Sequence, residues 1–281
     1  MAIELGASRL MAPYFSSSQI VWTVIIGTIM IAMALGNIIG GRLADKNPDP
    51  SRLYMRLLIA AIWTAAIPFA GRYLIMGISL LLATFVTKNF LIWASFVTCF
   101  VVFVFPLILL GTVTPSLVKF SVDNLDDNGK TVGELGALNT IGSIIGTFMP
   151  TFVTIPAVGT AATFIIFSSI LAILSILYFL SIRKKLIKVA IAAVLIVALS
   201  FTTANYSFAF WEDNVIHEDE SIYNYLQVKE TDDSMILSTN VLFGVQSIMM
   251  KNQELTGMYY DYALAAPVMA GVTQKEDNDL L

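Results

Sequence analysis

Charge is scarce in this chain. Only 13% of its 281 residues are Asp, Glu, Lys or Arg, whereas a soluble domain carries about a quarter. Most of the chain therefore cannot solvate itself, and a soluble single-domain class is excluded. Histidine and cysteine are scarcer still, with one of each, His217 and Cys99. A lone histidine leaves a His-centred hydrolytic or metal site nothing to build on. A lone cysteine in an apolar run excludes an internal disulfide and reads as a small buried hydrophobe. The opening Met1–Tyr14 has no basic leader region and carries Glu4 and Arg9, so it does not read as a signal peptide. No G-x-G-x-x-G-type loop occurs in the polar part of the chain.

Apolar sequence is what remains: 57% of residues are hydrophobic and the mean hydropathy is +0.79. The net charge of −4 hides a division. Residues 1–205 hold 13 basic and 7 acidic side chains, a net +6, while residues 206–281 hold 3 and 13, a net −10. Such a split implies two environments. It predicts a multi-pass transmembrane part, 1–205, followed by a small acidic domain, 206–281. An acidic tail also argues against nucleic acid as a partner; the first partner expected is a lipid bilayer.

A crossing helix needs about 20 apolar residues. Ile20–Ile39, Leu57–Val86, Phe90–Val113, Thr131–Val158, Thr160–Leu180 and Val189–Ala204 are read as about six spans. Leu57–Val86 is interrupted at Gly71 and Arg72, which predicts one crossing plus an interfacial or re-entrant piece; a two-span hairpin is the alternative. Glu4–Phe15 is too short and polar to cross, and reads either as an interfacial amphipathic segment or as the end of a first helix. Four basic residues lie in Arg42–Arg56 and four in Arg183–Lys188, and both clusters are expected on the cytoplasmic side. With a single crossing in Leu57–Val86, that choice puts the acidic tail outside the cytoplasm. Asn37, Glu134, Asn139 and Thr140 stand at apparent membrane depth, where polar groups are functional candidates; Glu134 reads equally as a helix N-terminal acid. Gly36 with Gly40, and Gly142 with Gly146, read as close helix packing.

After Asn205 the period changes. Tyr223–Val228, Ser234–Ser238 and Val245–Met250 are extended candidates separated by acidic turns, which predicts a small antiparallel meander. Thr256–Ala266 reads as helical.

Two stretches resemble known families. GGRLADK, Gly40–Lys46, resembles the loop motif after the second helix of major facilitator transporters, although Asn47-Pro48-Asp49-Pro50 replaces the motif's later glycine and basic pair. The series Glu220-Ser221-Ile222-Tyr223-Asn224, Met235–Ser238, Gln246, Tyr259-Tyr260-Asp261 and Pro267 resembles the N-terminal part of spermidine synthases, polyamine aminopropyltransferases. Membrane-fused variants of that family share features like ELGASRLMAPYF and GGRLADK. The resemblance implies that Asn224, where the family has glutamine, contacts the nucleoside product. It also implies that Tyr260, where the family has histidine, lies at the polyamine, and that Asp261 replaces a glutamate. The same tyrosines can equally pack a small sheet.

By resemblance, intact relatives move an aminopropyl group from decarboxylated S-adenosylmethionine to a diamine. The glycine-rich nucleotide loop and catalytic Asp expected after Pro267 are not found before Leu281. The chain is therefore expected to be incomplete and inactive alone, with no catalytic residue and no cofactor of its own. Expected partners are a polyamine and either a separate catalytic half or a second copy. The rival reading is a facilitator-like transporter or membrane anchor with a vestigial tail.

Overall fold

A computed structural model describes residues 1–86, 88–121, 128–204, 206–241 and 244–269; the description of Asn128, Tyr260, Pro267 and Val268 is confined to backbone. Its elements are α1 (Ala2–Phe15), α2 (Gln19–Lys46), α3 (Pro50–Phe85), α4 (Phe90–Gly111), α5 (Val113–Ser121), α6 (Asn128–Met149), a π-helical turn (Pro150–Thr154), α7 (Ile155–Ser181) and α8 (Leu186–Phe201). Four strands follow, β1 (Val215–Glu220), β2 (Tyr225–Glu230), β3 (Ser234–Ser238) and β4 (Val245–Met250), then a 3-10 helix (Tyr259–Ala265) and α9 (Ala266–Met269).

Four helical stretches are long and apolar enough to cross a membrane: Gln19–Lys46, Pro50–Phe85, Phe90–Ser121 and Gly129–Ser181. Leu186–Phe201 is a shorter apolar helix. The fourth stretch is 53 residues long, but its backbone leaves helical geometry at Gly159, with φ 81° and ψ 168°. That glycine is the single residue between the two spans expected from sequence. Large apolar side chains such as Ile31, Leu81, Phe100 and Val194 are exposed on these helices, as suits helices that meet lipid.

Gly71 and Arg72 do not interrupt α3, which runs unbroken for 36 residues, about 54 Å at 1.5 Å per residue. This overturns the expected break and excludes the hairpin alternative. Gly71 lets α1 approach, since a Cβ there would meet Leu10 at 3.3 Å. Arg72 is held by the chain that follows α8: it donates to the Ser207 carbonyl at 3.2 Å and lies over the rings of Tyr73, Tyr206 and Phe210. The short α1 is no surface segment either. Leu10, Met11, Tyr14 and Phe15 are fully buried, so the interfacial reading fails.

Helices that share apolar surroundings gain little from hydrophobic burial and must pack closely instead. α2 and α4 do so through glycine. A Cβ on Gly36 would stand 2.5 Å from the Ile108 carbonyl oxygen, and one on Gly40 would stand 2.6 Å from the Thr112 Cα. Gly142 has nothing within 4 Å, and Gly146 only ordinary contact with Met1 and Ala2. The second glycine pair thus packs no helix closely among the described residues. Asn37, Glu134, Asn139 and Thr140 are all exposed.

Ring and ion-pair contacts order the two ends of the bundle. Tyr54 stacks on Tyr178 at 4.0 Å, and Asp45 pairs with Lys119 at 2.9 Å. These contacts set Arg42–Arg56 and Arg183–Lys188 at one end. The sheet sits at the other.

The sheet is an antiparallel meander in the order β1-β2-β3-β4. β3 and β4 have the expected bounds. β1 is additional, because its sequence VIHEDE looks like a solvated acidic run. The predicted helix Thr256–Ala266 is 3-10 from Tyr259 and becomes α-helical only at Ala266. The sheet is not detached from the bundle: Phe208, Tyr225 and Val241 share a core with Tyr14, Phe103 and Phe164.

Candidate functional site

The β1–β2 turn is the point where sheet and bundle meet. Glu220 pairs with Tyr225 across the hairpin, leaving Ser221–Asn224 as the loop. Ser221 closes it. Its backbone N–H donates to the Asn224 carbonyl at 3.0 Å, and its Oγ accepts from the Tyr223 and Asn224 N–H groups at 3.2 and 3.0 Å. Arg9 of α1 then fastens the turn, donating to the carbonyls of Ile222 and Tyr223.

Beside the turn lies a cavity of about 350 Å³ whose lining includes Arg9, Trp22, Thr151, Glu220, Asn224 and Asn240. Thr151 comes from the π-helical turn, a feature that often marks functional positions. Asn224, the expected nucleoside contact, therefore faces a space walled partly by the helical bundle. Tyr260 lies on the Tyr259–Ala265 helix, and its side chain falls outside the described residues. Among the described elements, that helix packs chiefly on Ala266–Met269. Asp261 caps its start, accepting from Thr256 Oγ1 at 2.6 Å and the Gly257 N–H at 2.7 Å. The Thr256 hydrogen bond leads in holding the Asp261 carboxyl below its ordinary value of 3.8.

Several groups at this junction were given no role from sequence. Glu220 reaches from β1 to the bend in α7, accepting from the Thr160 N–H at 2.7 Å and from the Thr160 hydroxyl. Desolvation leads in raising its pKa above 4.5, opposed by the Thr160 hydrogen bonds and by Arg9. Glu218 accepts from the Phe208 N–H at 2.8 Å and from the Tyr225 hydroxyl at 2.6 Å. Tyr14 donates to the Phe208 carbonyl at 2.8 Å, so Phe208 is clamped from both sides. Burial raises the pKa of Tyr14, Tyr206 and Tyr225, keeping these hydroxyls protonated; Tyr14 and Tyr225 are donors. The signal available in sequence was a period of two, Glu218 and Glu220 on one face of a strand. It was masked because the inward residues are acids.

Comparison with known proteins gives one partial relationship to report. The chain is 59% identical over 95 residues to a probable polyamine aminopropyl transferase of Bifidobacterium longum. That stretch covers 34% of this chain and 21% of the relative, so the chain spans about a fifth of the relative's length. No protein-family profile matches the chain. No solved structure matches it.

Proposed function

We propose that this chain is a membrane-embedded part of a polyamine aminopropyl transferase-like protein. The 95-residue identity with the Bifidobacterium longum protein carries the reading. The four apolar stretches, with the bend at Gly159 and the shorter α8, support six crossings: α2, α3, α4, α6 with the π-helical turn, α7 and α8. Lys and Arg favour the cytoplasmic side, and both basic clusters share one end. The sheet then stands outside the cytoplasm. Residues 1–205 act as the membrane domain and 206–281 as the start of the soluble one.

In the reaction, an amine nitrogen of the diamine attacks the aminopropyl carbon bonded to the sulfonium of decarboxylated S-adenosylmethionine. The C–S bond breaks, the neutral thioether methylthioadenosine leaves, and the new secondary ammonium loses a proton to a general base. On this chain Asn224 would contact the nucleoside, its amide keeping a donor and an acceptor. Tyr260 would lie at the polyamine as a neutral hydroxyl, since tyrosine does not titrate near neutrality. The nucleotide loop and the base would come from a catalytic portion, joined in the same frame or supplied as a separate chain.

The test is an aminopropyl-transfer assay on membranes holding this sequence extended by its downstream reading frame. Transfer of labelled aminopropyl to 1,4-diaminobutane is expected, with KM for the nucleoside raised in Asn224→Ala. An extended chain that supports no transfer, or one whose KM ignores that substitution, overturns the reading.

A further inference from the structure

Burial does not anchor the loop that carries Asn224. Ile222 is 36% exposed and Tyr223 80%, so neither side chain holds it in place. Closure of the loop by Ser221 uses N–H groups, those of Tyr223 and Asn224 donating to Ser221 Oγ. The Ile222 and Tyr223 carbonyls are left for Arg9, which donates one Nη to each. A guanidinium presents its donors in a rigid planar fork, so the two carbonyls are held in a fixed relation. The Tyr223 carbonyl and the Asn224 N–H belong to one planar peptide. Arg9 holds the first of these groups at 3.0 Å, and Ser221 Oγ holds the second at 3.0 Å. A peptide pinned at both its acceptor and its donor fixes where the Asn224 side chain starts.

Arg9 can impose that geometry because α1 is itself fixed. Leu10 and Met11 beside it are fully buried. Gly6, about one turn earlier, lies so close to α7 that a Cβ would stand 2.9 Å from the Phe164 ring. The stem of the loop is tied to the same helix, since Glu220 accepts from the Thr160 N–H at 2.7 Å. The tip of the loop thus hangs on α1 and its stem on α7, and those two helices meet at Gly6 and Phe164. We infer that Arg9 is a positioning residue for Asn224, and that the packing of α1 on α7 thereby sets the affinity of the site for the nucleoside. The inference rests on the transferase reading, which gives Asn224 its role. Arg9 acts through the Tyr223–Asn224 peptide rather than on either reactant.

The test uses the chain extended by its downstream reading frame, in nanodiscs. KM is measured separately for decarboxylated S-adenosylmethionine and for 1,4-diaminobutane. Arg9→Met, which removes both donors, should raise the nucleoside KM about tenfold through lost charge-assisted hydrogen bonds. The diamine KM should stay unchanged. In an Asn224→Ala background the same substitution should add nothing further, because two residues that act through one contact are not additive. A direct contact between Arg9 and the ligand, or a general loss of stability, would persist there in full. Arg9→Lys keeps the charge beside Glu220 but not the fork, and should give an intermediate nucleoside KM. It keeps the test decisive should Arg9→Met disturb the fold. A nucleoside KM that ignores these substitutions, or an effect that persists in full in Asn224→Ala, overturns the inference and leaves the transferase reading standing. A wild type that transfers nothing, or an Asn224→Ala KM equal to that of wild type, overturns both.

Discussion

At Gly159 the backbone takes φ 81° and ψ 168°, a region essentially reserved for glycine. A Cβ there would also stand 3.0 Å from Glu220 Oε2. Gly159→Ala should therefore cost about 1–3 kcal/mol from backbone strain and push Glu220 off Thr160. Thermal unfolding in detergent would measure the first effect, and hydrogen exchange at the Thr160 amide the second. Asp261 makes a smaller, pH-dependent contribution. Its folded pKa is depressed, led by the Thr256 hydrogen bond, so its ordering effect is present above the ordinary carboxylate value and is lost as pH falls through the depressed one. The Gly257 amide should accordingly lose protection on acidification below pH 3.8, and Asp261→Asn should remove that dependence.

Elements differ in how legible they were. β3 and β4 alternate between turn signals, and their bounds could be read directly. β1 could not, because Glu218 and Glu220 face inward and reverse the usual alternation of apolar and polar residues. Glycine spacing was similarly ambiguous: Gly36/Gly40 and Gly142/Gly146 share one pattern, yet only the first pair lies against a neighbouring backbone. Gly36→Val should force α2 and α4 apart and destabilise the bundle by about 1–3 kcal/mol, the usual cost of overpacking. Gly142→Val should leave the unfolding temperature of the detergent-solubilised chain unchanged. Equal effects would mean that the α2–α4 contact does not govern stability.

The whole molecule has two ends, and labelling separates them. Cys99 is buried, so introduced cysteines report without background. Asn47→Cys and Ser181→Cys should be protected together from an impermeant reagent in intact cells, while Asp213→Cys before the sheet should react. Reaction at only one of the first pair would break the common end of the basic clusters. The excised tail 206–281 should lose protection in Tyr225–Met250, because its inner face rests on Tyr14, Arg9 and Thr160 of the bundle. A small chain with a net charge of −10 has little to replace them. Full protection in a monomeric fragment would show that the sheet folds alone.

Sequence by itself determined the apolar class, the charge division and the break at Gly159, because each depends on composition or local order along the chain. Tertiary structure alone decided that α1 is buried and that Gly71 and Arg72 lie within one helix. Arg9 meets Ile222, Arg72 meets Ser207 and Thr160 meets Glu220 only when bundle and sheet pack. Their charges and hydroxyls acquire meaning from desolvation and from partners distant in sequence, which no local pattern encodes.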